Sequence, residues 1–419
     1  MTQELLSKGV VFFMIRGLGL LAGFVFTLMI TNRYGPEVNG MLALSISVFI
    51  IGSLIPRWGF DINLVKIFAA KPVNEAKSLY IKALRFSTLV SVGIAVLGFL
   101  FASSLTELLN ISDKRYLLCG LIAVPLWTLI NLNAGVLRGF KNIKLFSFLT
   151  TSGRYILAIA AFSLIYFVFG FEDSHWPVVA HTIALALLCG LSFFSVHKHL
   201  KDTPMVLNVD WKTFIKDSSP MMITLGFMLF LNWTDTVLLS IFKGTGEAGI
   251  FNVCFLLASF IGFSLHALNS ILAPKIAKLF MAEELDSINR LVGFTFVLNL
   301  AWASFIFILL LLFRRPILDF FGPEFSVGEM ALMVLAVGQF FNAVCGPVGV
   351  VLQMTGKQKL FRNLVFWAFL CNLILSLILV PIYGLKGAAI SCAAGMSIWN
   401  IVGVYLVWKH RKIKLVRGF

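Results

Sequence analysis

The long apolar runs of this chain limit its fold more than any other feature. Its forty-two phenylalanines fall in stretches such as Val10–Ile30, Ser304–Phe313 and Phe361–Leu379. The longer stretches far exceed the strands of an outer-membrane barrel, and none alternates apolar with polar positions as such strands do. Helices, which satisfy every backbone donor and acceptor within one segment, are the spanning element this pattern allows. Composition agrees. Hydrophobic residues make up 59% of 419 positions and charged residues 13%, with a mean hydropathy of +0.94. That mixture cannot supply the polar surface of a soluble domain of this length.

A crossing needs about 20 apolar residues to span the ~30 Å hydrocarbon core. The runs predict twelve helices, near 9–31, 39–65, 80–102, 116–137, 145–169, 177–196, 220–242, 249–273, 291–313, 329–353, 361–381 and 387–408. Pro56 and Arg57-Trp58-Gly59 interrupt the second. No cleavable signal is expected, because Val10–Ile30 is too long for one and Tyr34-Gly35-Pro36-Glu37 does not resemble a small-residue cleavage site.

The formal net charge of +15 invites a nucleic-acid reading, but the basic residues lie in short gaps between apolar runs. No basic stretch carries an RNA-binding or helix-turn-helix pattern, so no nucleic acid is expected as a partner. Topology accounts for the charge. With the N-terminus inside, inner segments hold 24 Lys and Arg and outer segments hold 7. Both termini are therefore expected in the cytoplasm, in a cytoplasmic (inner) membrane. All six cysteines (Cys119, Cys189, Cys254, Cys345, Cys371 and Cys392) sit inside apolar runs without a CxxC. They read as buried small hydrophobes, and neither a disulfide nor a metal site is expected.

The hydrophilic segments are short, and the longest falls near the midpoint. This divides the chain into an N-terminal lobe over 1–200, a connector over 201–219 and a C-terminal lobe over 220–419 with a basic tail. Within the connector, Trp211, Phe214 and Ile215 lie beside Lys212 and Lys216, as in an interfacial amphipathic helix. A plain linker is the alternative. The lobes look related. Gly35-Pro36-Glu37-Val38-Asn39-Gly40-Met41 matches Gly244-Thr245-Gly246-Glu247-Ala248-Gly249-Ile250, and the stretch from Leu137 to Phe146 matches that from Leu352 to Phe361. A parallel repeat of six helices plus six follows, with a central cleft expected between the lobes.

These residues also resemble a known family. Thr27-Leu28-Met29-Ile30, Arg33-Tyr34-Gly35-Pro36-Glu37 and Gly40-Met41-Leu42-Ala43-Leu44 resemble polysaccharide-biosynthesis flippases of the Wzx type. So do Gly59-Phe60-Asp61-Ile62-Asn63-Leu64-Val65-Lys66, Asp235, and Leu272-Ala273-Pro274-Lys275-Ile276-Ala277-Lys278-Leu279-Phe280. The likeness covers most of the chain and extends to the superfamily of MATE exporters and MurJ-type lipid II flippases. It implies a V-shaped, two-lobed fold and transfer of an undecaprenyl-pyrophosphate-linked oligosaccharide to the outer leaflet. Membrane lipids, a glycan polymerase and a chain-length regulator are the implied partners, and the protein is expected to be a monomer. Two departures favour the Wzx branch: no helix beyond the twelfth is expected, and Arg16 stands in the first helix where MATE exporters often have a carboxylate.

Only three basic residues fall deep within spans, Arg16, Arg57 and Arg154, and only two acids, Asp61 and Asp235. Ionisable groups at that depth usually face a cavity or a partner. Guanidinium forks match phosphate oxygens, so the excess of arginine suits an anionic cargo. Each site has a plainer reading. Arg16, roughly 10 Å into its helix, is able to snorkel to the inner surface. Arg154 is roughly 13 Å deep, too far for easy snorkelling. Arg57 and Asp61, spaced i,i+4, either neutralise each other on one helix face or meet substrate. Lys66 is expected at the inner interface, within reach of cargo.

Asp235 is a candidate for charge pairing or for coupling to a proton or sodium gradient, with a structural hydrogen bond as the alternative. His266 is a second coupling candidate, with a packing role as its alternative. Asn131, Asn133, Asn232, Asn269, Asn342 and Asn372 either meet sugar hydroxyls or link helices. No cofactor is expected. The leading reading is a flippase, and the alternative is a MATE-like ion-coupled drug or cation antiporter. An enzyme is disfavoured, because the longest outer loop, Arg314–Gly328, carries only flank charges.

Overall fold

The computed structural model describes residues 2–206, 208–411 and 413. The side chains of 2–12 and 411 lie outside that description, as do residues 412 and 414–419. Lys8, Arg411, Lys412, Lys414 and Arg417, all counted in the charge bias, are among them. The described residues form helices joined by turns, with no strand.

The first helix, α1, runs over Thr2–Gly52 but contains a break at Gly35 (φ 76°, ψ −170°) with Pro36 behind it. Glycine alone adopts that geometry without strain. The apolar stretch Phe13–Arg57 has 45 residues. At 1.5 Å per residue it measures roughly 68 Å, over twice the hydrocarbon core. It therefore makes two crossings that meet at Gly35, and with the other ten candidate spans the total among the described residues is twelve.

Backbone geometry extends the internal repeat beyond the sequence matches. Gly244 (φ 91°, ψ 172°), 209 residues after Gly35, repeats its conformation. Three further turns recur with positive φ at similar offsets: Asn110 with Gly322, Lys141 with Gly356, and Gly170 with Gly384. Lys141 and Gly356 lie inside the second matched stretch.

The second span departs from its prediction. Instead of one helix over 39–65, α1 gives way to α2 (Leu54–Arg57), and Trp58 and Gly59 both turn left-handed before α3 (Phe60–Ala70). Such a break frees backbone groups where no water can take them. Their partners are present: Ser87 Oγ donates to the Pro56 carbonyl at 2.7 Å, and the Ile62 and Asn63 amides both donate to Gly59 O. Trp58, strained as a non-glycine with positive φ, is fixed by a 3.0 Å bond from its Nε1 to Ser219 Oγ.

After α4 (Val73–Leu100), α5 (Ala102–Leu108) and α6 (Lys114–Gly139) comes α7 (Ile143–Ser147). A π-helical turn over Phe148–Ser152 leads into α8 (Gly153–Ser163), which ends in a second one over Leu164–Val168. Then follow α9 (Trp176–Leu200), α10 (Trp211–Lys243), α11 (Thr245–Met281) and α12 (Leu285–Asp319). The chain closes with α13 (Glu329–Cys345), α14 (Val348–Met354), α15 (Gln358–Tyr383) and α16 (Leu385–Arg411). Asp113 caps α6. Burial opposes its charge, but hydrogen bonds from the Arg115 guanidinium and backbone amide outweigh that and hold its carboxyl below the usual range.

The chain forms two compact units. The N-terminal unit comprises Met14–Tyr34 and Val38–Leu229; the C-terminal unit comprises Gly35–Glu37, the stretch up to Phe13 and the chain from Phe230. In the first, α6 is the central helix, packed by α3, α4 and α9, while α4 turns Leu89, Val96 and Leu100 outward. In the second, α13 is central among α11, α12 and α16, and α12 turns Phe294, Phe305 and Leu312 outward. The fourth helix of each half is thus a core helix, and the third turns an apolar face outward.

The stretch 211–219 is not a separate helix. It forms the first turns of α10, continuous past Pro220. Its apolar side is occupied by protein: Phe60 stacks on Phe214 at 5.1 Å and lies 5.3 Å from Trp211. Asn63 Nδ2 donates to Ser218 Oγ at 3.0 Å. A Cβ on Gly59 would stand 2.5 Å from the Ser218 carbonyl oxygen. Gly59→Ala therefore meets both a steric clash and a positive φ, and should destabilise by about 2 kcal/mol. Gly93→Ala, whose new methyl meets nothing within 4 Å, should be neutral or stabilising. Thermal unfolding of both variants in detergent checks the contrast.

Candidate functional site

The break between α2 and α3 sets the first charged group. Arg57, 5% exposed, extends Nη1 to 3.5 Å from Asp61 Oδ2, and its Nε donates to the Ser53 carbonyl at 3.2 Å. The expected pair exists, but not on one helix face. Its partners belong to different helical segments, joined through two left-handed residues. Asp61 Oδ1 is buried without a partner. The Asp61 backbone also abuts α6, where a Cβ on Gly135 would come 2.3 Å from its carbonyl oxygen. Lys66 is exposed on α3.

Arg16 is half-buried on α1, within electrostatic range of Arg138 at the end of α6. The sequence reading left Arg138 among the loop cations. Its guanidinium lies 4.9 Å from the centroid of the Phe146 ring.

Arg154 occupies a different setting. The π-turn before it brings the chain so close to itself that a Cβ on Gly153 would stand 2.7 Å from the Phe148 carbonyl oxygen. Single π-turns of this kind are frequent at functional sites. The guanidinium lies 4.5 Å from the Tyr155 ring centroid and 5.5 Å from that of Trp127, and Nη2 donates to Tyr155 Oη at 2.9 Å. Nε is buried without a partner. No carboxylate pairs with Arg154 among the described residues.

Sequence reasoning missed His181, which the fold brings to the same aromatic group. It is 2% exposed, stacked against Phe26 and Phe49, and 6.3 Å from the Tyr155 ring. Its only signal was a histidine inside the sixth apolar run, close enough to the run's start to pass as flank.

In the C-terminal unit, Asp235 is 1% exposed and saturated by neighbours. Ser376 Oγ donates to it at 2.6 Å, and Asn372 Nδ2 donates to both carboxylate oxygens at 3.1 and 3.3 Å. The Cys392 thiol also contacts it. These bonds tie α10 to α15 and α16. His266 is exposed on α11, where its carbonyl accepts from Ser270 Oγ. Of the amides, Asn133 joins Tyr80 to Ser192 across three helices, and Asn342 joins Gln339 to Asn400. Asn131 bonds its own helix at the Trp127 carbonyl.

Two related six-helix halves with charge buried inside the spans make a polytopic membrane fold, which solved structures show to be of the MATE and MurJ type. Sequence comparison then supplies the family. The chain matches the model for polysaccharide biosynthesis proteins over residues 5–280 and belongs to that family. Residues 220–378 also match the MatE model.

An uncharacterized membrane protein of Methanocaldococcus jannaschii, MJ1375, is 24% identical, the match covering 76% of this chain and 79% of that protein. The probable low-salt glycan biosynthesis flippase Agl15 of Haloferax volcanii is 22% identical, over 44% of this chain and 39% of its own length. Among solved structures, the lipid II flippase MurJ in an inward closed conformation superposes with a TM-score of 0.76 at 16% identity, covering 96% of this chain and 87% of that one. An inward-facing MATE family multidrug transporter gives 0.76 and 16%, covering 96% and 98%. At such identity the superpositions establish the fold alone.

Removing one partner of a buried ion pair leaves the other charge stranded. Arg57→Ala should therefore destabilise the protein by about 3 kcal/mol. The double variant Arg57→Met with Asp61→Leu should recover most of that loss, because it strands neither charge. Unfolding midpoints of the two variants check this.

Proposed function

We propose that the chain is a flippase of the inner cell membrane, with both termini cytoplasmic. It moves an undecaprenyl-pyrophosphate-linked oligosaccharide repeat unit to the outer leaflet by alternating access. The observation that carries the reading is Arg154, a guanidinium set inside a span with no carboxylate among the described residues to neutralise it. Charge in that position is expensive unless something of opposite sign visits it. A pyrophosphate head group does so, and its lipid tail stays in the bilayer throughout. Arg16, within electrostatic range of Arg138, adds positive charge in the same unit. The flippase name of the Haloferax volcanii relative Agl15 and the family match support the reading.

A drug or cation antiporter would instead offer its cargo an acid. The deep acids here are already engaged, Asp61 by Arg57 and Asp235 by Ser376 and Asn372. A membrane enzyme would need a cluster of reactive groups outside the spans, and the outer charges Arg314, Arg315 and Glu329 are spent on each other. Among the buried acids, Asp235 is the one we assign to coupling with a proton or sodium gradient, since Asp61 already has its counter-charge.

Deleting the gene should abolish surface glycan and leave drug resistance unchanged. The wild-type gene should restore the glycan, while Arg154→Ala, inserted at normal level, should not. Immunoblots of surface polysaccharide with membrane-fraction controls read the outcome. Full restoration by Arg154→Ala would sink the charged-site mechanism, and loss of drug resistance on deletion would favour the antiporter. In proteoliposomes, Asp235→Asn should transport at a rate that no longer responds to sodium removal or to a protonophore. A variant as responsive as the wild type would remove Asp235 from coupling.

A further inference from the structure

His181 and Arg154 share an unmet requirement. Arg154 Nε and His181 Nε2 are both buried and both lack a hydrogen-bond partner. A polar group left bare at membrane depth is costly, and such groups in a native structure call for an explanation. The two side chains flank one ring. The Arg154 guanidinium lies 4.5 Å from the Tyr155 centroid and the His181 ring lies 6.3 Å from it. The two are also within electrostatic range of each other.

Packing does not explain the histidine. Its ring lies between Phe26 at 6.1 Å and Phe49 at 5.8 Å, with interplanar angles of 27° and 28°. Phenylalanine would fill that slot equally well and leave no bare nitrogen. What histidine adds is a donor at the ring edge. The residues on either side of Arg154 are closely packed. Gly153 is pressed on the π-turn before it, and Gly23 of α1 leaves room for Tyr155, whose ring comes within 3.3 Å of where a Cβ would stand.

We propose that Arg154 and His181 form one phosphate subsite, with Arg154 Nε–H and His181 Nε2–H donating to separate oxygens of a phosphoryl group. A tetrahedral phosphate presents several acceptor oxygens in different directions, which suits donors carried on two helices, α8 and α9. The phosphoryl group has two sources, the pyrophosphate of a lipid-linked cargo or the headgroup of a membrane phospholipid. The first source rests on the flippase reading; the subsite itself does not.

The test uses the full-length protein in phosphatidylcholine nanodiscs, titrated with undecaprenyl pyrophosphate, and a second set in which phosphatidylglycerol is the only anionic lipid. His181→Phe keeps the stacking and removes the nitrogens, whereas His181→Gln keeps a donor at similar reach. Losing one charge-assisted bond should weaken undecaprenyl pyrophosphate binding about tenfold in His181→Phe. His181→Gln should stay within about threefold of wild type. The melting temperature of His181→Phe should match wild type, which separates lost binding from lost folding.

Wild-type affinity in His181→Phe for both lipids would overturn the subsite. A loss confined to phosphatidylglycerol would keep the subsite and identify its occupant as a membrane lipid. The two readings fail separately. Unchanged binding in His181→Phe beside glycan loss in Arg154→Ala would remove the subsite and leave the flippase. Weakened binding beside intact surface glycan in the deletion strain would do the reverse.

Discussion

In hydrocarbon a backbone amide or carbonyl has no water to bond, and the rest of this structure follows from that constraint. Ten of the twelve crossings meet it with helical backbone, adjusted in the fifth by π-turns. The exceptions are the tenth, broken at Gly346 and Pro347 between α13 and α14, and the second, where Trp58 and Gly59 leave the helix together. The break in the second survives because other helices take up what it frees. Ser87 of α4 caps the Pro56 carbonyl, and α10 fixes Trp58 and packs against Gly59. The corresponding helix of the second half, α11, has no such break.

The same constraint sorts the buried charges. Arg57 and Asp61 lie on either side of the break and satisfy each other. Asp235 is satisfied by hydroxyl and amide donors from two neighbouring helices. Arg154 differs from both: its partners are aromatic faces and one phenol, which stabilise a cation without cancelling its charge. A site that retains net positive charge is one an anion can enter and leave, whereas a neutralised pair offers an anion little gain.

Much of the fold was legible because the bilayer enforces simple rules. Apolar length gave the number of crossings, and the Gly35 and Gly244 stretches revealed a repeat that four pairs of turns then extended. Candidate residues were legible only as exceptions to apolarity. Arg16, Arg57, Arg154, Asp61 and Asp235 stand out in hydrophobic runs because a charge there is rare. Arg138 and His181 did not stand out. One ends a span where arginine is common, and the other is a residue whose charge sequence does not fix. Trp211 and Phe214 misled for a related reason, since an apolar face beside lysines reads the same whether lipid or protein covers it.

Sequence by itself determined the membrane class, the helix count, the duplication and the list of buried charges, all of which depend on residue type against a uniform solvent. Tertiary structure alone decided what each charge meets. Arg57 finds Asp61 across a helix break, Asp235 finds Ser376 and Asn372 more than a hundred residues away, and Arg154 shares Tyr155 with a histidine on another helix. These meetings depend on helix rotation and on close approaches that glycines allow. No local pattern in the chain records either.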